Sequence, residues 1–122
     1  MFVKPEELIC KCGTCKIIPE ALQEAVDELC ANLNTIRKCL GVPLLVNSGI
    51  RCGAHNLAVG GAPNSKHLRG QAADIRCSAY PPERLAGFIE GLISTHEIVD
   101  GGLGTYDSFV HYDIGPSRRW KG

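Results

Sequence analysis

The 122-residue chain has 13 lysine and arginine side chains and 13 aspartate and glutamate side chains, so its formal net charge is zero. A balanced charge gives no long-range field that would collect nucleic acid or an anionic membrane, and we expect neither as a partner. The chain is long enough to bury a hydrophobic core without metal or disulfides, so we expect one monomeric domain over residues 1–122.

The N-terminal stretch MFVKPEELIC contains charges and a proline where a signal peptide has an uninterrupted apolar segment. No later run is long enough to span a bilayer. We therefore expect synthesis in the cytoplasm without an export signal of the chain's own. Reduced thiols are the expected state, although pairing of Cys52 with Cys77 under oxidising conditions stays open.

Cysteine is frequent, at positions 10, 12, 15, 30, 39, 52 and 77. Cys12 and Cys15 have the C-x-x-C spacing that lets two sulfur atoms reach one zinc ion. A matching second pair is missing, and Cys10 with Cys30 or Cys39 would complete four ligands only in a non-standard arrangement. We therefore expect free thiols in this region, with a structural metal as the alternative.

The first predicted helix runs from Pro19 to Leu40, where apolar residues recur at helical spacing. Pro19 suits the first turn, and Gly41 is typical of a helix end. A second helix begins near Pro82 and carries its apolar residues on one side, although two glycines lower its intrinsic propensity. We expect this second helix to pack on a sheet.

Strand candidates lie between and after these helices. They are PLLVNSG, QAADIRC, HEIVDGG and SFVHYDI, at residues 43–49, 71–77, 96–102 and 108–114. The last two are close enough to pair as an antiparallel hairpin, through a turn at residues 105–107. Together the elements predict an α+β fold in which helices pack on a small antiparallel sheet.

Two of these strands, and the loop before one of them, carry residues that suit a metal site. Period-two alternation puts His111 and Asp113 on one face of the last strand, opposite Tyr112. His67 can fold back over the strand that carries Asp74. A catalytic zinc ion uses three protein ligands of the imidazole and carboxylate type, so His67, Asp74 and His111 are candidate ligands. The alternative is an isolated surface histidine and a capping aspartate.

Longer motifs around these residues resemble a known family. SKHLRGQAAD matches the S-x-H-x-x-G-x-A-x-D pattern of the D-alanyl-D-alanine carboxypeptidase-like zinc peptidases, and FVHYDIG resembles their second, H-x-D-containing motif. NSGIRCGAHNLAVGGAPNSKH is similar to the S-G-x-R segment and the glycine-rich loop before the first ligand. Relatives include phage endolysins, bacterial wall carboxypeptidases, vancomycin-resistance dipeptidases and, at the level of fold, the Hedgehog signalling domain. The resemblance implies a Hedgehog/DD-peptidase-like fold with His67, Asp74 and His111 as zinc ligands.

The resemblance also implies roles for residues near the ligands. Arg51 occupies the S-G-x-R position, where its guanidinium suits a substrate carboxylate or the oxyanion of a tetrahedral intermediate; a structural salt bridge is the alternative. Ser65 matches the serine beside the first histidine, where it can hydrogen-bond substrate or cap the loop.

The general base is where the chain departs from the family pattern. Many relatives have an acidic residue three positions before the second histidine, whereas this chain has Ser108. Asp107 is the nearest acid and our candidate base, with a solvated turn residue as the alternative. Asp113 lies beyond His111 and better suits a partner that orients that ligand.

The function implied by the resemblance is a zinc-dependent metallopeptidase that hydrolyses peptidoglycan stem peptides, as a carboxypeptidase or endopeptidase, through a metal-activated water. Expected synthesis without an export signal fits a phage or prophage endolysin that acts on the cell wall. One alternative is a non-catalytic zinc-binding module that recognises a wall peptide or a protein partner, which Ser108 favours. Another is a cysteine-rich interaction domain without metal.

Overall fold

The computed structural model describes residues 2–122, and that part of the chain contains both helices and strands. The helices are α1 (Gln23–Leu40), α2 (Gly53–Ala58) and α3 (Pro82–Ser94), with short 3₁₀ turns at Pro5–Leu8, Glu20–Leu22 and Lys66–Arg69. The strands are β1 (Leu45–Ser48), β2 (Ala72–Arg76), β3 (Gly102–Thr105), β4 (Val110–Asp113) and β5 (Arg118–Lys121). Within residues 2–122, no helix combines the length and apolar composition needed to cross a membrane.

Both predicted helices form, and each buries the apolar side that its spacing indicated. The buried side chains of α1 include Val26, Leu29, Leu33 and Ile36. Gly41 ends the helix at φ 77°, a left-handed conformation that glycine adopts without a steric penalty. The first turn of the predicted segment is 3₁₀ rather than α-helical. The short helix α2 was not predicted.

The sheet has the strand order β1-β2-β4-β3-β5. Pairs β1–β2, β2–β4 and β3–β4 are antiparallel. An antiparallel hairpin does form with the predicted strand at 108–114, but its first strand is β3 rather than residues 96–102, and Tyr106 N–H donates to the Phe109 carbonyl across its turn. The prediction of an antiparallel sheet is wrong at one edge, because β5 pairs with β3 in parallel. The sequence of β5 is RRWK, which lacks the alternation of apolar and polar residues from which a strand is predicted.

The predicted strand at residues 96–102 is also wrong for all but its last residue. The chain turns at His96, which has φ 62°, and Ile98 then packs into the core. Val99 N–H donates to Asn32 Oδ1 on α1 instead of to a neighbouring strand, at 2.8 Å. Strand pairing therefore begins only at Gly102.

The register of the central strands sets the position of the candidate site. Asp74 of β2 lies opposite His111 of β4 in the ladder. Their neighbours Ile75, Val110 and Tyr112 are fully buried in the hydrophobic core, beneath the helices. Alternation therefore leaves the two polar side chains on the face away from that core, as the sequence predicted.

All seven cysteines are free thiols. The alternative in which Cys30 or Cys39 joins Cys10 in a four-ligand set is wrong, because neither lies with Cys10, Cys12 and Cys15. Cys30 donates to the Val3 carbonyl, and Cys39 is exposed near the end of α1. Cys52 is instead the residue that joins Cys10 and the C-x-x-C pair.

Candidate metal centre

Three side chains from separate parts of the sheet region meet at one point, which we call the His/Asp centre: His67, Asp74 and His111. His67 comes from the 3₁₀ turn before β2, Asp74 from β2 and His111 from β4. Each offers one ligand atom, and these atoms lie within 4.8 Å of one another. All three residues are buried. The structure therefore brings together the three residues that the sequence selected.

His67 is held by contacts on both sides of its ring. Nδ1 lies 2.6 Å from the Gly49 carbonyl oxygen, so this nitrogen carries the proton and donates it. Nε2 then faces Asp74 Oδ1 at 3.2 Å. The main chain is fixed as well, since Ser65 Oγ accepts from His67 N–H and the His67 carbonyl accepts from Arg51 N–H. Ser65 therefore makes the capping contact that its sequence position allowed.

His111 is also held on both sides of its ring, but here Nδ1 rather than Nε2 faces Asp74. Nδ1 lies 3.3 Å from Asp74 Oδ1, while Nε2 lies 2.6 Å from Asp113 Oδ2. Asp113 is fully buried, and its Oδ1 accepts from the N–H groups of Gly102 and Gly115 at 2.9 Å each. Arg118 adds an ion pair of 2.6 Å to Oδ2. This contact matches the prediction that Asp113 orients a ligand.

The protonation states follow from these contacts. Burial alone would raise the pKa of Asp74, but hydrogen bonds with His111 and His67 outweigh burial and hold the pKa well below its usual range. Asp113 behaves in the same way, since His111 and the Gly102 N–H lower its pKa despite burial. Burial would lower the pKa of His111, but its bonds to Asp113 and Asp74 raise it. At neutral pH both carboxylates are ionised, which suits a divalent cation.

The His/Asp centre lies in the wall of a cavity of about 620 Å³. This volume falls within the range of pockets that bind small ligands. Arg51 lines the cavity and is paired with Asp74 Oδ2 at 3.2 Å, while its other branch donates to Asn56 Oδ1 at 3.3 Å. Arg51 thus makes the salt bridge anticipated as an alternative and also faces the cavity. Ser65 lines the same cavity.

Asp107 is the predicted site residue that the structure does not bring to the others. It is exposed in the β3–β4 turn, as is its neighbour Ser108, and neither belongs to the cavity lining. Its role as general base stays a prediction.

Aromatic residues on the cavity wall were missed by the sequence analysis. Tyr106 stacks on Phe109 with ring centroids 4.5 Å apart, and its hydroxyl accepts from Trp120 Nε1 at 2.8 Å. The Trp120 ring lies 5.0 Å from the ring of His111. Gly104 makes this possible, because a Cβ atom there would collide with the indole. The single tryptophan of the chain and Gly104 in the middle of β3 were the available signals.

Comparison with known proteins supports a family assignment. The family model described as peptidase M15 matches residues 2–113. The probable peptidoglycan L,D-endopeptidase MepK of Haemophilus influenzae is 38% identical over 65 residues, 52% of this chain and 32% of that protein. The zinc D-Ala-D-Ala carboxypeptidase of Streptomyces albus G is 33% identical over 96 residues, 73% of this chain and 35% of that protein.

The chain thus spans about a third of the length of the curated relatives it matches. The family model, in contrast, covers nearly all of it, including both predicted histidine motifs. This chain belongs to the peptidase M15 family, the zinc DD-peptidases whose motifs it carries.

Proposed function

We propose that this chain is a zinc-dependent peptidase that hydrolyses peptidoglycan stem peptides. The observation that carries the proposal is the convergence of His67, Asp74 and His111, with ligand atoms within 4.8 Å of one another on the wall of a cavity. The names of the two relatives, a peptidoglycan endopeptidase and a zinc carboxypeptidase, support the same substrate class and the same metal.

The donor set fits zinc. Two imidazole nitrogens and one carboxylate are the ligands of many catalytic zinc sites, in which a fourth position is left for water or substrate. When bound, the ion supplies Lewis-acid chemistry and makes a water molecule more acidic. His67 Nε2 and His111 Nδ1 are the nitrogens that would hold it, since each faces Asp74. The Gly49 carbonyl and Asp113 fix the two rings from behind.

Cationic side chains in the cavity suit a substrate that carries carboxylates. Arg51, Lys66 and Arg118 line it, and Arg51 lies beside the candidate ligand Asp74. We propose that Arg51 binds a substrate carboxylate or the oxyanion that forms at the scissile carbonyl. Ser65 accepts a hydrogen bond from His67 N–H, which leaves its hydroxyl proton to donate to substrate.

Asp107 remains the proposed general base, since Ser108 cannot accept a proton efficiently at neutral pH. The carboxylate would have to approach the cavity by rearrangement of the β3–β4 turn when substrate binds. Catalytic hydrogen bonds often tighten only in the substrate complex, so this requirement is physically reasonable.

A second candidate function is a zinc-binding module without hydrolytic activity, which recognises a wall peptide or a protein partner. One observation favours it: among the described residues, Asp74 is the only carboxylate in the cavity lining. A site with ligands but no base would bind a peptide without cutting it.

Hydrolysis assays separate the two functions. The zinc-loaded protein is incubated with purified peptidoglycan and with synthetic stem peptides that contain L,D and D,D bonds, and the products are identified by mass spectrometry. We expect cleavage by the unchanged chain and a strong loss in Asp107→Ala. Equal cleavage by both would retain the peptidase and reject Asp107 as base. Binding of the peptides without cleavage by the unchanged chain would favour the module.

Three broader features belong to the same proposal. We infer a Hedgehog/DD-peptidase-like fold, supported by family membership and the mixed helix and sheet architecture. We infer one monomeric domain over residues 1–122, supported by the single cluster of buried apolar residues found within the described residues 2–122. We also propose a phage or prophage enzyme that does not bind membrane or nucleic acid and acts on the cell wall. Sedimentation analysis tests the monomer directly.

A further inference from the structure

A second group of metal-ligating side chains lies apart from the His/Asp centre. It consists of Cys10, Cys12 and Cys15 of the N-terminal segment and Cys52 just before α2, and we call it the cysteine cluster. The four Sγ atoms lie within 4.8 Å of one another. Zinc binds sulfur at about 2.3 Å, so the sulfur atoms around one tetrahedral ion are separated by about 3.8 Å. The cluster is therefore close to the spacing of a single tetrahedral site.

Backbone N–H groups point at three of these sulfur atoms. Cys12 Sγ accepts from the N–H groups of Thr14 and Cys15, Cys10 Sγ from that of Cys52, and Cys52 Sγ from that of His55, each at 3.4 Å. A neutral thiol is a weak acceptor, whereas a thiolate is a strong one. The same N–H groups would donate to the thiolate ligands of a bound ion, as partners beyond the ligands commonly do.

The local chain geometry serves this arrangement. Gly13 has φ 90°, so the turn between Cys12 and Cys15 adopts a left-handed conformation that turns successive N–H groups toward Cys12. Lys16 Nζ donates to the Gly13 carbonyl and places a positive charge at the turn. Four thiolates around a divalent ion carry a net negative charge, which a nearby lysine partly offsets.

We propose that Cys10, Cys12, Cys15 and Cys52 bind one structural zinc ion. Four thiolate ligands in a tetrahedron select zinc or iron, and they leave no position for substrate. An iron–sulfur cluster inserts several irons and sulfides between its thiolates, whereas these four sulfur atoms are already within reach of one ion. The proposal does not rest on the peptidase activity of the His/Asp centre.

The proposed ion would link the N-terminal segment to the loop before α2. The two segments already contact each other at Leu8 and at residues 49–50, which we call the junction, where Ile50 N–H donates to the Leu8 carbonyl at 2.8 Å. Leu8 is fully buried, so the N-terminal segment forms part of the core. Metal binding energy would add directly to the stability of this attachment, because an unfolded chain does not hold the four sulfurs together.

Metal content of the full chain tests the proposal. The protein is purified under reducing conditions from medium with zinc and iron, and metal per chain is measured by mass spectrometry for the unchanged chain, Cys52→Ser and Cys39→Ser. Cys39 is an exposed cysteine outside the cluster and provides the matched control. We expect Cys52→Ser to hold about one zinc ion fewer per chain than Cys39→Ser. Equal zinc content in the two variants would overturn the proposal, and so would iron in place of zinc.

A second variant covers the case in which Cys52→Ser does not fold. His67→Ala removes one ligand of the His/Asp centre and leaves the cysteine cluster intact. When loaded with Co²⁺, this variant should show the near-ultraviolet charge-transfer absorption of thiolate-bound cobalt. Absence of that absorption in folded His67→Ala would reject the cysteine site. Failure of hydrolysis by the unchanged chain, with the absorption present, would instead count against the proposed peptidase alone.

Discussion

The His/Asp centre and the cysteine cluster differ in the parts of the fold that supply their candidate ligands and in the number of those ligands. The His/Asp centre takes two of its three ligands from paired strands and opens to a cavity of about 620 Å³. The cysteine cluster takes its four sulfur atoms from loop segments, and backbone N–H groups donate to three of them. Three ligands beside a cavity leave room for chemistry, whereas four close the coordination sphere. The difference predicts a reactive site in the first and a structural attachment in the second.

The two sites are joined by the short segment at residues 49–52. The Gly49 carbonyl holds the ring of His67, Arg51 pairs with Asp74, and Cys52 belongs to the cysteine cluster. Changes in the His/Asp centre should therefore abolish activity with little loss of structure. Changes at the junction should weaken the fold first and activity as a consequence.

The largest expected effect comes from His67→Ala. Loss of one of the three proposed ligands would remove zinc from the His/Asp centre, so we expect hydrolysis of stem peptides to fall by at least about 100-fold, beyond the usual cost of losing a ligand's partner. Initial rates with a synthetic stem peptide measure this. His55→Ala, a histidine outside the cavity lining, should retain activity. A His67→Ala protein that hydrolyses at the unchanged rate would remove the basis of the proposed peptidase.

A smaller loss is expected from Asp113→Asn, which alters the group that orients His111. The amide cannot match the 2.6 Å charged contact with Nε2, so we expect zinc affinity or hydrolysis to fall by about 10–100-fold. Competition with a chromophoric chelator measures the affinity. Cysteine-bound zinc should be unaffected, which Co²⁺ absorption can check. Equal weakening of both sites would show that Asp113 acts on the fold as a whole.

The junction itself is tested by Gly49→Ala. An added Cβ would lie 2.6 Å from the Leu8 carbonyl oxygen and 2.7 Å from Leu8 Cα, and backbone atoms cannot yield cheaply. We expect the free energy of unfolding to fall by about 1–3 kcal/mol, as measured in urea. Gly53→Ala, at the start of α2, is the matched control, because a Cβ atom there would meet nothing within 4 Å. Equal stability of the two variants would mean that the junction is loosely packed.

Local patterns were enough to predict most of the elements and to make His67, Asp74 and His111 candidate ligands, and the resemblance to the zinc peptidase motifs selected that set. Helical spacing located α1 and α3, and period-two alternation placed Asp74 and His111 on the same side of the sheet. These signals are local because the side chains of any strand alternate between its two faces. The pairing of β2 with β4, which places Asp74 opposite His111, is a contact between distant parts of the chain and could not be predicted from either strand alone.

The missed features all depend on contacts between distant parts of the chain. Cys52 lies 42 residues from Cys10, whose sulfur accepts its N–H, and no spacing rule connects the two. The strand β5 is defined by parallel pairing with β3 rather than by its own charged sequence. Trp120 reaches the cavity only because Gly104, opposite it in that pairing, has no side chain.

The smallest expected effect comes from Glu90→Gln, at an exposed ion pair outside the His/Asp centre and the cysteine cluster. Arg119 makes two contacts with Glu90, of 2.7 and 2.8 Å, but the Glu90 side chain is 50% exposed, so we expect a loss below about 1 kcal/mol. The hydrogen bond from Arg119 lowers the pKa of Glu90. Its contribution is therefore present above the unfolded pKa of about 4.3 and is lost as pH falls through the lower folded value. Urea midpoints of the two proteins should differ slightly at neutral pH and converge in acid. A cost as large as that of Gly49→Ala would mean that stability is not concentrated at the buried junction.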